Sequence, residues 1–494
     1  MTRRREISLV GITTLLGAAL RLYQIGAQSL WLDELFSVAV ARGDWAQVVA
    51  RTAQGDTNPP LFNLLLHVAL QFGSDEMAAR AVSCLFSIAT IPLFYALARQ
   101  LFQVRVAALA TLVLAINPFH VYFAQEARMY AQLAFFSMAG MFFFLRAWHA
   151  GGFWDWAFFA LAMALAFYTH SLAFLNLLAL DVWVLTQRGA WQSHWRGLLS
   201  AHAVIAIAFA PWFVVLLQQL ARVQAGFWAA SPTGLNLAAT PYLFLFSNVL
   251  PTFFVPIALF AGLALCVFAL VAAVRAIASR DADAPALLFA LAVFGIPLLA
   301  LFGLSLIRPI YLERTLLPAS FGLYLLLAWT VVRARPRALN VALGALVMIG
   351  MIIALPEFYF NPDVQKPQLR EATRALSAQF RPGDVIAHTS DLSALAFMYY
   401  NPALPSHFLA GDPDYAAETT RGRSGLVAGL APEDIDSIVA GRTRVWLVVA
   451  LDHNVDYQKA RVREFDQRFY DRKEFEIGNI DLLSYDLAGG SGVR

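Results

Sequence analysis

The chain has 494 residues, of which 59% are apolar and only 14% charged. A soluble domain carries about 25% charged residues, so this composition excludes an ordinary soluble fold and marks a chain that crosses a membrane many times. The net charge of +3 is small and scattered, which excludes the concentrated basic surface that nucleic-acid binding needs. Cys84 and Cys266 both fall in apolar runs and suggest neither a metal knuckle nor a disulfide framework.

TRRRE (2–6) followed by ISLVGITTLLGAALRLYQI (7–25) is long enough to span and lacks a small-residue cleavage site, so it reads as a first helix that is retained. Runs of about 17–25 apolar residues mark spanning helices. They start near Ile7, Ala78, Val106, Ala131, Phe153, Leu172, Leu198, Phe254, Ala286, Arg314 and Leu339, about 11 in all. The connections bearing TRRR, Arg99 with Arg105, Arg146, Arg188 with Arg196, Arg275 with Arg280, and Arg333, Arg335 and Arg337 alternate with connections poor in arginine. The positive-inside rule makes the arginine-bearing set cytoplasmic.

NPPLFNLLLHVALQFG (58–73) decides the parity. Its apolar stretch after the double proline is too short for a hydrocarbon core of about 30 Å. It therefore reads as an amphipathic helix lying in the interface, within a first outer loop at 27–77. The long outer loop at 218–250, GFWAASPTGLNLAATPYLFLFSN included, carries no legible fold. Composition shifts near residue 356, and no lysine precedes Lys366. The chain thus divides into a membrane block, 1–356, and a soluble tail, 357–494. The tail reads as a small α/β domain on the extracytoplasmic side: a helix at 368–380, strands at PGDVIAHTS (382–390) and TRVWLVVALD (443–452), and a closing hairpin at 474–487. Asp384 and His388 are its candidate polar groups, and the plain reading, a loop acid and a strand-end histidine, suffices for both.

Four motifs gather on the outer face. SLWLDELFSVAV (29–40) sets Asp33 beside Glu34; neighbouring acids on a helix diverge by about 100°, so they serve different jobs. A carboxylate near lipid can act as a general base towards an alcohol, while the plain reading is an interfacial Trp31 anchor with solvated acids. NPFHVYFAQEARMYAQL (117–133) brings Glu126, Arg128 and Tyr130; Glu126 and Arg128 either pair across a helix entrance or leave the arginine to grip a phosphate. AFYTHSLAFLNLL (166–178) holds His170 in a tight connection, where a satisfied interface histidine is the plain reading. RPIYLERTLLPASFGLYLLLAW (308–329) places Arg308, Tyr311, Glu313 and Arg314 at a helix end, where a snorkelling arginine with an ion pair is the plain reading. Ionisable residues in a membrane are costly and mark function, and four such motifs on one face strengthen one another.

WLDE near the end of the first helix, then NPPL, then FGSDEMAARAVSCLFS, followed by QEARMY, YTHS and ERTLLPA, resembles the bacterial family 39-like membrane glycosyltransferases. These are GT-C superfamily enzymes related to protein O-mannosyltransferases and lipid A aminoarabinose transferases. The resemblance covers most of 1–335 and implies transfer of a sugar from a polyprenyl-phosphate donor to an acceptor glycan, lipid or protein on the extracytoplasmic face. It also implies a multi-pass protein of the plasma (inner) membrane with a cytoplasmic N-terminus. It puts the candidate base on Asp33, with Glu34 supporting it or holding a cation. It also puts a divalent metal, Mg²⁺ or Mn²⁺, within reach of Glu126 and His170. Arg128 and Arg314 are the phosphate partners, with Tyr130 beside them and Arg308 in reserve. Aminoarabinose transferases show KPPL where this chain has NPPL, so Asn58 brings hydrogen bonds for sugar or phosphate but no charge, and phosphate recognition must rest on arginine or on metal.

Two rival classes remain. A transporter or lipid flippase would show paired repeats or broken helices with polar groups at mid-membrane, whereas here the ionisable groups sit at outer helix ends and no repeat is visible. A non-catalytic relative that binds polyprenyl lipid would keep the same acids as structure.

Overall fold

A computed structural model describes residues 3–487 except 188, 190, 226, 228, 413, 414, 416–418 and 451–453. Arg188 of the arginine pattern, Gly226 and Trp228 of the long outer loop, and Leu451 and Asp452 of the 443–452 strand lie outside the described residues.

Among the described residues, seven helices are long and apolar enough to cross a membrane: Glu76–Leu101, Tyr130–Ala150, Gln192–Gln224, Val255–Ala278, Ala284–Ile307, Glu313–Arg333 and Arg337–Phe360. An eighth span is the pair Val104–Ile116 and Pro118–Ala124, bent by 53°. The remaining expected spans are helices too, Arg3–Leu22, Phe153–Thr169 and Phe174–Thr186, but they are shorter or open on charged residues. Several of these helices leave large apolar side chains uncovered, Leu259, Phe260, Leu263 and Val267 among them. Apolar exposure on that scale belongs to a surface that meets lipid. This is an α-helical polytopic membrane protein with a C-terminal α/β unit.

The bend has a local cause. Asn117 ends one helix and caps the next, accepting from the His120 N–H (3.1 Å) ahead of Pro118 at the first helical position. Arg21, fully buried, donates to the carbonyls of Leu114 and Ala115 (3.1 and 2.8 Å) and to Ser87. A cation thereby covers the orphaned, negative end of the helix Val104–Ile116. The bend delivers residues 125–129 to one end of the bundle. At that same end the segment Glu313–Ala319 runs into the helix Ser320–Arg333. Gly322 seats this helix: a Cβ there would meet the Ala290 carbonyl oxygen at 2.4 Å, so only glycine lets the two helices approach so closely.

The first outer loop folds as three short helices, Leu32–Ala41, Trp45–Gly55 and Leu61–Ala69. The last has nine residues, about 14 Å at 1.5 Å per residue, and buries Phe62, Asn63 and Leu66 on one side. The long outer loop proves to be the extended end of the helix Trp191–Ala225 and a separate helix, Gly234–Phe246.

Beyond Phe360 the chain builds a six-stranded sheet of order β3-β2-β1-β4-β6-β5. Its strands are β1 (Asp384–His388), β2 (Ser406–Leu409), β3 (Pro432–Glu433), β4 (Arg444–Val449), β5 (Tyr470–Ile477) and β6 (Ile480–Asp486). β1 to β4 run parallel, and the β5–β6 hairpin adds antiparallel to β4. The helix expected at 368–380 is Leu369–Gln379. Strand periodicity divides the side chains. Val445, Leu447 and Val449 join Phe465 and Tyr485 in one core, while Trp446 and Val448 belong to a second core continuous with the membrane helices. The sheet is therefore packed onto the bundle, next to the first outer loop.

Candidate active site

Asp33 and Glu34 occupy the first turn of the helix Leu32–Ala41, where the helix N-terminus favours negative charge. As expected from their divergence, they meet different partners. Asp33 Oδ2 accepts from Arg314 at 3.0 Å. Arg128 donates to the Ser37 hydroxyl (2.9 Å) and to the Asp33 carbonyl (3.4 Å), and Arg314 lies over the Tyr130 ring, 5.4 Å from its centre. Burial pushes the Asp33 carboxyl up, but the Arg314 and Arg128 charges outweigh it and hold the group below the usual carboxylate range.

Glu34 is saturated. Arg80 donates to both of its oxygens at 2.8 Å, the Ala127 N–H adds 2.8 Å, the Trp31 N–H adds 3.3 Å, and the Lys366 ammonium stands 2.9 Å away. Burial alone would raise its carboxyl, yet the Arg80 and Lys366 charges and these bonds bring it down to about 2. The supporting role expected of Glu34 takes this form: its cations come from the chain itself. Neither Arg80, a charge inside the FGSDEMAARAV run, nor Lys366 was singled out as a site residue. An arginine within an apolar span was the signal for the first, and the first lysine of the chain was the signal for the second.

Glu126 is the opposite case. It is buried, and among the described residues neither carboxylate oxygen has a hydrogen-bond partner. Burial pushes the carboxyl up to about 7 against the pull of Lys366 and Arg314. A buried carboxyl left without partners is rare and expensive. His170 stands at the edge of the cluster, its ring 6.1 Å from that of Tyr130, its Nδ1 accepting the Leu172 N–H. Burial, with the Arg128 and Arg314 charges, lowers the imidazole to about 3.

Two expected residues have other occupations. Asn58 spends its amide on Asp56 and Thr57 in the turn before the double proline. Arg308 is exposed, bonded to the Gln224 carbonyl at 3.4 Å, and does not join the cluster. For the metal, among the described residues no three histidine, cysteine or acidic side chains come together as ligands. Glu126 and His170 gain no third donor, because Asp33 and Glu34 face arginine and lysine. Arg80 and Lys366 hold Glu34, and Arg314 holds Asp33, so a divalent cation would have to displace arginine and lysine to reach those carboxyls. These residues fit an anion better than a metal.

Residues 57–215 match the family model described as dolichyl-phosphate-mannose-protein mannosyltransferase. The whole chain is similar in structure to ArnT from Cupriavidus metallidurans in the apo state, with TM-score 0.64, 15% identity and 99% of each chain covered. It is similar to the same protein bound to undecaprenyl phosphate, with TM-score 0.61, 16% identity and 100% of each chain covered. The chain has the GT-C fold. A third GT-C likeness is the archaeal oligosaccharyltransferase AglB from Archaeoglobus fulgidus in complex with an inhibitory peptide and a dolichol-phosphate, with TM-score 0.54 and 12% identity over 99% of this chain and 75% of that one. No curated protein matches in sequence. The resemblance first carried by WLDE, NPPL, QEARMY and ERTLLPA thus holds in three dimensions: the GT-C frame draws Asp33, Glu34, Glu126, Arg128, Tyr130 and Arg314 to one end of the bundle.

Proposed function

We propose that the protein is a glycosyltransferase that moves a sugar from a polyprenyl-phosphate carrier to an acceptor hydroxyl at the extracytoplasmic face of the plasma membrane. The N-terminus is cytoplasmic in this reading, and the C-terminal unit lies outside. The observation that carries it is the Asp33–Arg314 pair, set among Arg128 and Lys366, in a chain that aligns along its whole length with a fold seen bound to undecaprenyl phosphate.

Asp33 takes the proton of the acceptor hydroxyl, whose oxygen attacks the anomeric carbon. The bond from that carbon to the phosphate oxygen breaks, and polyprenyl phosphate leaves with its electron pair. Arg314 and Arg128 meet the charge that grows on the departing phosphate. In the free protein these arginines depress Asp33 and make it a weak base. A phosphate that draws their charge away restores Asp33, so the base is armed when the donor arrives. Glu34 fixes the frame around Arg80. No step is routed through a metal.

The test compares the extracytoplasmic lipids, glycans and proteins of cells with and without the enzyme by mass spectrometry. One acceptor is expected to lose a single sugar, and that transfer should be restored by purified protein with a matching polyprenyl-phosphate sugar. Identical spectra in the two cells, with no transfer in vitro, would leave the reading without support.

A further inference from the structure

The chain leaves the membrane bundle at Phe360, and residues 361–368 run back across the candidate site before the helix Leu369–Gln379 begins. This strap is held by groups other than the Lys366 ammonium: the Lys366 backbone N–H donates to the Gln28 side chain at 3.1 Å, and the Gln365 side-chain amide donates to the Tyr359 carbonyl at 2.9 Å. The α/β unit is clamped over the same loop. Arg370 bonds Ala27 (2.7 Å) and Glu76 (2.8 Å), and the Tyr400 hydroxyl accepts the Leu30 N–H (2.8 Å). Lys366 therefore has a defined place without its side chain.

The side chain is aimed inward. Its ammonium stands 2.9 Å from Glu34 Oε2 and 3.4 Å from the Gln125 carbonyl, and the group is 10% exposed. Glu34 does not need it, since Arg80 already engages both oxygens and supplies a full balancing charge. An ammonium has three donors, and the two bonds named leave one unspent. The adjacent carboxyl, Glu126, has no hydrogen-bond partner among the described residues and is itself pushed towards neutrality. Burial, with the Arg80 charge, pulls the ammonium below the usual lysine range despite Glu34 and Glu126. That is the condition of a cation short of negative charge. The NPPL turn offers no substitute, because Asn58 is neutral and its amide is occupied.

We infer that Lys366 is a phosphate-binding residue of the donor site, so that the strap of the C-terminal unit completes a site otherwise built from the membrane bundle. The inference rests on the donor reading above and deepens it. The phosphate enters between Arg314 and Arg128 on one side and Lys366 on the other, and takes up the charge that Glu34 leaves unbalanced.

The chain has three lysines, Lys366, Lys459 and Lys473, and the last two are exposed. Full-length protein carrying ¹³Cε-lysine in nanodiscs should give three resolvable signals, assigned by the surface variants Lys459→Arg and Lys473→Arg, so that Lys366 is identified in otherwise intact protein. Undecaprenyl phosphate is expected to shift the Lys366 signal, while undecaprenol, with the same tail and no phosphate, leaves it in place. Inorganic phosphate at millimolar concentration tells whether the head group suffices or the lipid tail is needed to deliver it. Lys366→Met should weaken undecaprenyl phosphate binding about tenfold or more without changing undecaprenol binding, and Lys366→Arg should retain most of it. A Lys366 signal that ignores undecaprenyl phosphate, in protein that still prefers it to undecaprenol, overturns the inference and leaves the donor reading standing. Wild-type protein that binds both lipids alike removes the donor reading and the inference with it.

Discussion

Arg314 reaches 281 positions back along the chain to set a guanidinium N–H 3.0 Å from Oδ2 of Asp33. Neither residue needs the other to fold its own helix. The pair exists because the bundle brings the start of the first outer loop against the entrance of the helix Ser320–Arg333. A cation paired with the proposed base suppresses it until a competing anion arrives.

Asp33→Asn separates these roles. The amide keeps the shape but accepts no proton, so turnover is expected to fall by about 10²-fold or more. Removing a negative charge from a phosphate site leaves undecaprenyl phosphate binding equal or tighter. Turnover and lipid affinity, measured on the same preparation, check this. Near-normal turnover would reduce Asp33 to a partner for Arg314.

Arg314→Ala attacks the other half. A hydrogen bond to a charged group contributes about 1.5–3 kcal/mol, so donor affinity is expected to drop between roughly tenfold and a hundredfold. Arg314→Lys should recover only part, because an ammonium cannot reproduce the planar fork or its contact with the Tyr130 ring. Unchanged affinity for undecaprenyl phosphate in Arg314→Ala would take this residue out of the donor site.

Much of this was legible in the chain. Hydrophobic run lengths located the long helices, and the run after Pro60 is a helix of nine residues, as short as its sequence implied. The runs at 382–390 and 443–452 and the hairpin at 474–487 read as strands, and β1, β4, β5 and β6 fall on them. The acids and arginines of QEAR and ERTLLPA were visible as charges at helix ends. Three things were not. Whether Glu34 or Glu126 is the satisfied carboxyl depends on Arg80, Ala127 and Lys366 arriving from three separate segments, and no local pattern encodes that meeting. Asn58 looked available because its own turn, closed by Asp56, was not apparent. The helix Gly234–Phe246 was hidden in a loop whose prolines and glycines resemble breakers, yet its last turn, Phe244, Leu245 and Phe246, is buried.

The two carboxyls beside Lys366 make opposite contributions to pH dependence. Glu34 is held at about 2, below its usual 4.5, so it adds stability that is complete above about pH 4.5 and disappears as pH falls towards 2. Glu126 is raised from 4.5 to about 7, so the folded protein keeps a proton there that the unfolded chain has released. Its contribution is a loss of stability that grows as pH rises from 4.5 to 7 and is complete above that. Each pKa unit is about 1.4 kcal/mol, which puts the penalty at a few kcal/mol. Glu126→Gln is therefore expected to melt higher than wild type at pH 8 and close to it at pH 5. A melting difference that does not change with pH would mean that Glu126 is ionised and paired in the folded state.

Turnover is expected to survive a strong chelator. In the proposed reading Arg128, Arg314 and Lys366 supply the charge a phosphate requires, and the carboxyls nearest them are committed or tending to neutrality. Loss of turnover on chelation, restored by Mg²⁺ or Mn²⁺, would require Glu126 and its neighbours to rearrange around a cation in the working state.

Arg80 and Glu34 supply the last test, because the structure gives them the frame rather than the reaction. Besides binding both Glu34 oxygens, Arg80 carries the carbonyls of Ile25, Gln28 and Ser29, at 2.9, 2.9 and 3.0 Å, so it ties the end of the first helix to the helix bearing Asp33. Removing one member of a buried ion pair leaves the other uncompensated and costs about 3–5 kcal/mol. Arg80→Met and Glu34→Gln are each expected to lower the melting temperature sharply. The double variant should be less damaged than the sum of the two, since it leaves Lys366 alone without its carboxylate, where Glu34→Gln strands Arg80 and Lys366 together. Lys366 softens the comparison on one side: in Arg80→Met it still faces Glu34, so that variant should be the milder of the two in charge balance and the worse in tethering residues 25–29. Turnover per folded molecule then decides between frame and reaction. Glu34→Gln should retain most of it where Asp33→Asn loses it, and a folded Glu34→Gln protein without turnover would return Glu34 to the reacting groups.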